Sequence, residues 1–247
     1  MPGIHMASAV SMSQRWVALF SALLLVSACS TPGPGKPVPR QADRSSIGQL
    51  MKNDMDRIAD VEIRENTESL RLLMSKLYKR NPRELKKSTS GSVEEMVNWV
   101  FDGDHRWEFE AINNRQDTAA LFLAFDPQYQ GDRVLPYIVG LHTMLLKAHG
   151  WKTEFFFLDS IDPQRLYNVA RNVEIAAWKL ANARNSKGQL YLLSNEINEQ
   201  ERNLSFEREI GKIVGRTDLY AITLAEKSER TITRVMQNLA TAIFLPF

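Results

Sequence analysis

IGQLMKNDMDRIADVEIRENTESLRLLMSKLYKRNP, residues 47–82, is the stretch that decides the fold. Its apolar residues recur three or four positions apart: Ile47, Met51, Met55, Ile58 and Val61 make one stripe, and Leu70, Leu73, Met74 and Leu77 make a second. That spacing stacks side chains along one face of a helix of 3.6 residues per turn, whereas a half-buried strand would alternate. Two amphipathic helices are therefore expected. Asn81-Pro82 should end the second, because proline lacks an amide donor and disfavours helical geometry in the residue before it.

Downstream the same pattern repeats, now with caps. Ser92 and Glu95 have capping-box spacing ahead of Val93, Met96, Val97 and Val100, and Gly103 closes that segment. Asp117 is placed to cap the short apolar run AALFLAF, which Asp126-Pro127 ends. Asp132 is placed to start a longer helix that stops before Gly150, with apolar residues on several sides and hence burial all round. Asp162-Pro163 is a strong start signal, since the first helical turn has no use for the donor that proline lacks. Two more helices are expected over about 194–214 and 218–243, followed by an apolar tail, Ile243-Phe244-Leu245-Pro246-Phe247, folded on the core. Only TEFFFL, residues 153–158, reads as strand-like, and one strand makes no sheet. No fixed-period repeat is present, which argues against a regular repeat array.

Working back toward the N-terminus, the pattern changes. STPGPGKPVPRQADRSS, residues 30–46, alternates prolines with small and polar residues; it reads as an extended tether reaching roughly 50 Å at about 3.1 Å per residue. Before it, residues 16–28 are uncharged and mostly apolar, preceded by Arg15 and followed by Cys29. That run is short of the ~20 apolar residues a membrane span needs, and it has the layout of an export signal.

Val26-Ser27-Ala28-Cys29 resembles the lipobox of bacterial lipoproteins, an aliphatic residue and two small ones before an obligatory cysteine. The resemblance covers only the first thirty or so residues. It implies cleavage before Cys29 and a diacylglyceryl thioether on Cys29, with acylation of the new amine. Ser30, not Asp, follows the cysteine, and in this class that implies sorting to the outer membrane, facing the periplasm. Two or three acyl chains, at roughly 0.8 kcal/mol per buried methylene, would make the anchorage effectively permanent.

Composition bounds the rest. With 44% hydrophobic and 24% charged residues the domain should be an ordinary globular one, neither disordered nor polytopic. A net charge of +2, with acids interspersed among the bases, gives no concentrated phosphate-binding surface, so nucleic acid is not an expected partner. The basic run Lys76, Lys79, Arg80, Arg83, Lys86, Lys87 is the local exception, read first as a solvated helix end. A single cysteine rules out an intramolecular disulfide, and lipidation accounts for it.

No catalytic set emerges. Cys29 is spent on lipid and no Gly-x-Ser-x-Gly elbow occurs. His142 and His149 are seven apart, two turns, which is too far for a shared metal. Asp102-Gly103-Asp104-His105 is explained by turn chemistry, and it lacks the ligand series of a calcium loop. Glu94, Glu95, Glu108, Glu110, Glu154 and Asp159 offer no spacing that selects an acid–base pair. Among the aromatics, Phe155, Phe156 and Phe157 run consecutively, and in an extended segment all three cannot face inward. One of them is expected at a partner or lipid contact.

The sequence thus leads to an all-α chain: a signal peptide over 1–28, a lipidated Cys29 and Pro-rich tether over 29–46, and one irregular multi-helix domain over 47–247. Catalytic residues stay unassigned, and no metal or cofactor is expected beyond the covalent lipid on Cys29. The leading function is a non-enzymatic accessory subunit, held at the membrane and binding another envelope protein. A cell-wall hydrolase and a lipid carrier with an apolar groove are the alternatives.

Overall fold

A computed structural model of the chain describes residues 52–156, 159–197, 202–235, 238–239 and 241–247, all within one compact unit that runs from Ser45 to Phe247. Cys29, the lipobox, the tether and Phe157 lie outside the described residues. The domain is all-α. Its helices are α1 (Asp54–Arg80), α2 (Pro82–Ser88), α3 (Val93–Asp102), α4 (Asp117–Ala124), α5 (Val134–Ala148), α6 (Pro163–Asn182) and α7 (Ser205–Lys227). The β1 (Glu196–Ile197) and β2 (Arg202–Asn203) pair is an antiparallel ladder two residues long just before α7.

Four long helices form a closed ring of contacts, α1 on α5, α5 on α6, α6 on α7 and α7 back on α1, while α4 lies along α5 and α3 along α1. Helix α5 is the hub: every residue in it except Lys147 is buried, as its apolar residues on several sides require. Asp132 takes the amides of Val134 and Leu135 at the start of α5, and the Arg133 guanidinium caps the end of α4 through the carbonyls of Ala124, Asp126 and Tyr129. Local chemistry sets other boundaries as the sequence reads. Ser92 and Glu95 close a reciprocal capping box, Asp162 caps α6 ahead of Pro163, and α2 starts at Pro82.

Residues 54–80 depart from the expected two helices, while Ile47 and Met51 lie outside the described residues. From Asp54 to Arg80 there is one unbroken helix, capped by Asn53 and Asp56 and carrying Lys79 and Arg80 at its C-terminal end, where the helix dipole favours cations. Between the two apolar stripes the inward face is polar, made of Glu62, Asn66 and Ser69, all buried. Leu70, Leu73, Met74 and Leu77 are core residues as expected. Ile58 and Val61 are not; the buried phase there is Asp56, Ala59, Asp60 and Ile63.

The C-terminal third also differs. Residues 205–227 are one helix without a break near Gly215, because Arg216, Thr217 and Asp218 each bond another helix and hold the turn in place. Its start is capped from outside: Asn203 and Asn195 accept the amides of Ser205 and Glu207. Beyond Ser228 the described chain is not helical, in a stretch whose β-branched Thr231, Ile232 and Thr233 are weak helix formers. It lies along α6 instead, Gln164 pairing with both backbone groups of Thr233 and Asn172 with both of Leu245, and Phe244 is buried. Residues 153–156 are irregular and form no strand. No helix among the described residues is long and apolar enough to cross a membrane.

Candidate functional site

The polar face of α1 meets partners from two other helices. Glu62 Oε1 accepts from Asn66 Nδ2 at 2.6 Å and from Thr217 Oγ1 at 2.7 Å, and Glu62 Oε2 lies 3.0 Å from His149 Nε2. His149 sits at the C-cap of α5, where both its backbone amide and its Nδ1, at 2.8 Å, reach the Leu145 carbonyl. The imidazole stacks on Tyr220, with centroids 6.0 Å apart and planes 10° apart. Burial pushes the Tyr220 phenol above its ordinary range, so it stays protonated. Arg216 extends the network to the Glu65 carbonyl, Asn66 and Ser69. Charges buried this way must be paired to be tolerated, and here they tie α1 to α5 and α7.

Directly above this network the surface turns apolar. Ile58 and Val61 on α1 face Leu219 and Thr223 on α7 across a groove of about 510 Å³, with Glu62 and Tyr220 at its lining and Arg57, Glu65 and Arg216 also along it. Ile58 and Val61 are each 44% exposed and Leu219 is 67% exposed. The groove exists because the inner faces of α1 and α7 are consumed by the polar network, which leaves a second apolar phase on each helix pointing outward.

Of the consecutive phenylalanines, Phe155 adjoins the network through His149. Phe155 is a core residue, 1% exposed and tilted against His149, with its amide donating to Asp60 Oδ1. Asp60 also pairs with Lys52, both side chains buried. Phe156 is 37% exposed, and the Lys52 ammonium sits over its ring. Of these three residues, only Phe156 presents described surface to a partner.

Several of the other residues singled out by the sequence have structural employment. His142 is buried against Trp107, rings stacked at 3.9 Å, with Nε2 3.0 Å from Thr67 Oγ1. Since that hydroxyl donates to the Ile63 carbonyl, Nε2 is assigned as the proton-bearing nitrogen. Burial holds the His142 imidazole down at about 3, far below its usual range. Asp102 receives both arms of Arg71, which holds its carboxyl below the ordinary range, and His105 contacts the Trp99 carbonyl. Among the carboxylates, Glu95 caps α3 and Asp159 takes Lys152 and the Phe156 amide. Within the basic run, Lys76 bonds the Ser205 carbonyl, Arg80 pairs with Glu196, and Lys87 reaches Glu84 and the Gly131 carbonyl. No group of three His, Cys, Asp or Glu among the described residues is arranged to hold a metal ion.

A second concavity of about 720 Å³ lies between the loop from Ser88 to Gly91, helix α3 and the start of α5. Trp99, half-exposed, forms part of its wall.

Sequence reasoning missed both the Glu62–His149 network and the groove above it. The signal was present: Glu62, Asn66 and Ser69 follow one another at helical spacing, in phase with Ile63, Leu70 and Leu73. Comparison of the chain with protein-family models, with curated proteins and with solved structures finds no match.

Proposed function

We propose that this chain is a lipid-anchored, non-enzymatic accessory subunit of the bacterial envelope, and that the α1/α7 groove seats an amphipathic helix of another envelope protein. The anchor reading rests on Val26-Ser27-Ala28-Cys29, with its lipid on Cys29, an outer-membrane location and a periplasm-facing domain on a proline-rich tether. The binding reading rests on one observation, the exposed apolar groove lined by Ile58, Val61 and Leu219.

The shape of the groove selects its occupant. Two neighbouring helices leave between them the channel into which the side-chain ridge of a third helix fits. From Ile58 to Glu65 the channel follows two turns of α1, about 10 Å at 1.5 Å per residue, the reach of anchors at i, i+3 or i+4, and i+7. Arg57, Arg216 and Glu65 offer charges of both signs to the polar flanks of such a helix. An acyl chain fits less well, because its stabilisation comes from enclosure and these walls stand open to water. A twofold pair of this chain with its axis through the groove would set groove against groove and fill neither. A hydrolase would require two uncommitted carboxylates facing one cavity, whereas Glu95 and Asp132, which line the cleft beside Trp99, are held by helix-start amides, Tyr78 and Ser88, and Asp159 is held by Lys152.

Both halves are testable in intact cells. A photo-crosslinking residue at Val61 should capture an amphipathic helical segment when the crosslinked peptide is mapped. An adduct with lipid, with a second copy, or with an extended peptide would refute the helix-seat reading. Fatty-acid labelling that is equal in the wild type and in Cys29→Ser would refute the anchor.

A further inference from the structure

The cleft beside Trp99 is independent of the α1/α7 groove, and its chemistry differs. The Trp99 indole is braced: His105 and Phe109 lie at 5.5 and 5.3 Å, themselves 4.1 Å apart, and His105 also holds the Trp99 carbonyl. A large aromatic ring half in water is normally free to turn toward the core, but these contacts fix it in the cleft wall. Facing it are small hydroxylated residues, Ser88, Thr89 and Ser90, with Tyr129 and Glu95. The Trp99 indole nitrogen and the Ser90 hydroxyl form no hydrogen bond among the described residues, and both side chains are exposed, which leaves them open to a ligand. The volume, about 720 Å³, lies inside the ~300–1,000 Å³ range of small-molecule sites.

The charges around the cleft narrow the ligand class. Lys87 is engaged by Glu84 and the Gly131 carbonyl, Glu95 by the Ser92 amide, and Asp132 by Tyr78, Ser88 and the start of α5. Among the described residues lining the cleft Lys87 is the one cation, and it is already engaged, so phosphate and carboxylate ligands lack a partner. Ser88 and Thr89 already bond Asp132 and the Gly91 amide, but a purely apolar ligand would strip water from the Ser90 hydroxyl without replacing it. What suits a rigid aromatic face opposite a row of hydroxyls is a ring with an apolar C–H face and hydroxyls around its edge. We infer that this cleft binds an uncharged oligosaccharide, with one sugar ring stacked on Trp99 and its hydroxyls bonded to the Ser88–Gly91 loop. Cell-wall glycan and surface polysaccharide both supply such rings, distinguished by whether the sugars carry N-acetyl groups.

The test is calorimetric titration of the purified full-length chain with the tetramers of N-acetylglucosamine, of α-linked glucose and of β-linked glucose. At least one should bind saturably. Preference for the N-acetylated tetramer assigns the cleft to cell-wall glycan, and preference for a glucose tetramer assigns it to surface polysaccharide. Trp99→Ala should weaken that binding about tenfold or more, while Trp99→Phe, which keeps a flat face, should retain most of it. Ser90→Trp fills the cleft from an exposed loop position and should abolish binding without touching the core, which guards against misfolding of the Trp99→Ala form. Trp151→Ala, which alters an exposed tryptophan outside the cleft, should change nothing. Absence of binding to all three tetramers, or undiminished binding by both Trp99→Ala and Ser90→Trp, would overturn the inference.

Discussion

His149 Nε2 lies 3.0 Å from Glu62 Oε2, so the C-terminal end of the hub helix α5 is joined to the middle of α1 by a buried ionisable pair. The same carboxylate takes Thr217 from α7. Three helices of the ring therefore meet on one side chain.

Glu62→Ala should cost about 3–5 kcal/mol of stability, because His149, Asn66 and Thr217 would be left buried without their acceptor. Glu62→Gln keeps an acceptor oxygen and should cost less, about 1–3 kcal/mol. Urea unfolding at neutral pH measures both. Equal costs would mean that the carboxylate charge contributes nothing to the junction.

His142 gives a pH dependence of known sign. Its folded-state value of about 3 lies below the ordinary value of 6.5, so the unfolded chain binds the proton more readily. The stability associated with the neutral imidazole is fully present above about pH 6.5 and is lost as pH falls toward about 3, at up to about 1.4 kcal/mol per unit. The difference in unfolding free energy between wild type and His142→Phe should therefore shift in favour of the variant between pH 7 and pH 5. A constant difference would show that burial does not lower the His142 imidazole in the folded state.

Glycines in two helices should respond oppositely to alanine. A Cβ at Gly140 in α5 would come within 2.8 Å of the Asp117 carbonyl and 2.7 Å of Leu121, where α4 crosses, whereas one at Gly215 in α7 meets nothing within 4 Å. Gly140→Ala should destabilise by about 1–3 kcal/mol and Gly215→Ala should stabilise by about 0.5–1 kcal/mol, read from thermal or urea unfolding. Stabilisation by Gly140→Ala would contradict the close approach of α4 to α5.

Features determined within a few residues were readable from the sequence. Ser92 with Glu95, Asp162 with Pro163, and Asn81 with Pro82 set boundaries that depend only on neighbours. What depended on distant partners was not readable. Glu62 and Asn66 look like solvent-facing residues until Thr217 is brought beside them from α7, and that hidden continuity made one helix read as two. Thr217 and Asp218 look like a helix start until Glu62 and Arg171 engage them. The groove was concealed for a related reason. Ile58 and Val61 continue an apolar stripe, and periodicity alone does not say which of two apolar phases on a helix faces the core. Cys29 shows the converse, since its reading comes from the sequence and the described residues do not include it.

The central claim, a helix seated between α1 and α7, is tested most directly by placing a charge on the groove's apolar wall. Leu219→Asp places a carboxylate on the exposed wall, and Leu193→Asp does the same at a comparably exposed leucine outside the groove. Both should leave the unfolding free energy within about 0.5 kcal/mol of wild type, as surface substitutions do. With a photo-crosslinker at Thr223 and matched abundance in intact cells, Leu219→Asp should cut the adduct about tenfold or more, as loss of a central apolar anchor does. Leu193→Asp should leave it unchanged. A Leu219→Asp chain that folds normally and crosslinks as well as wild type would show that the groove is not where the partner binds.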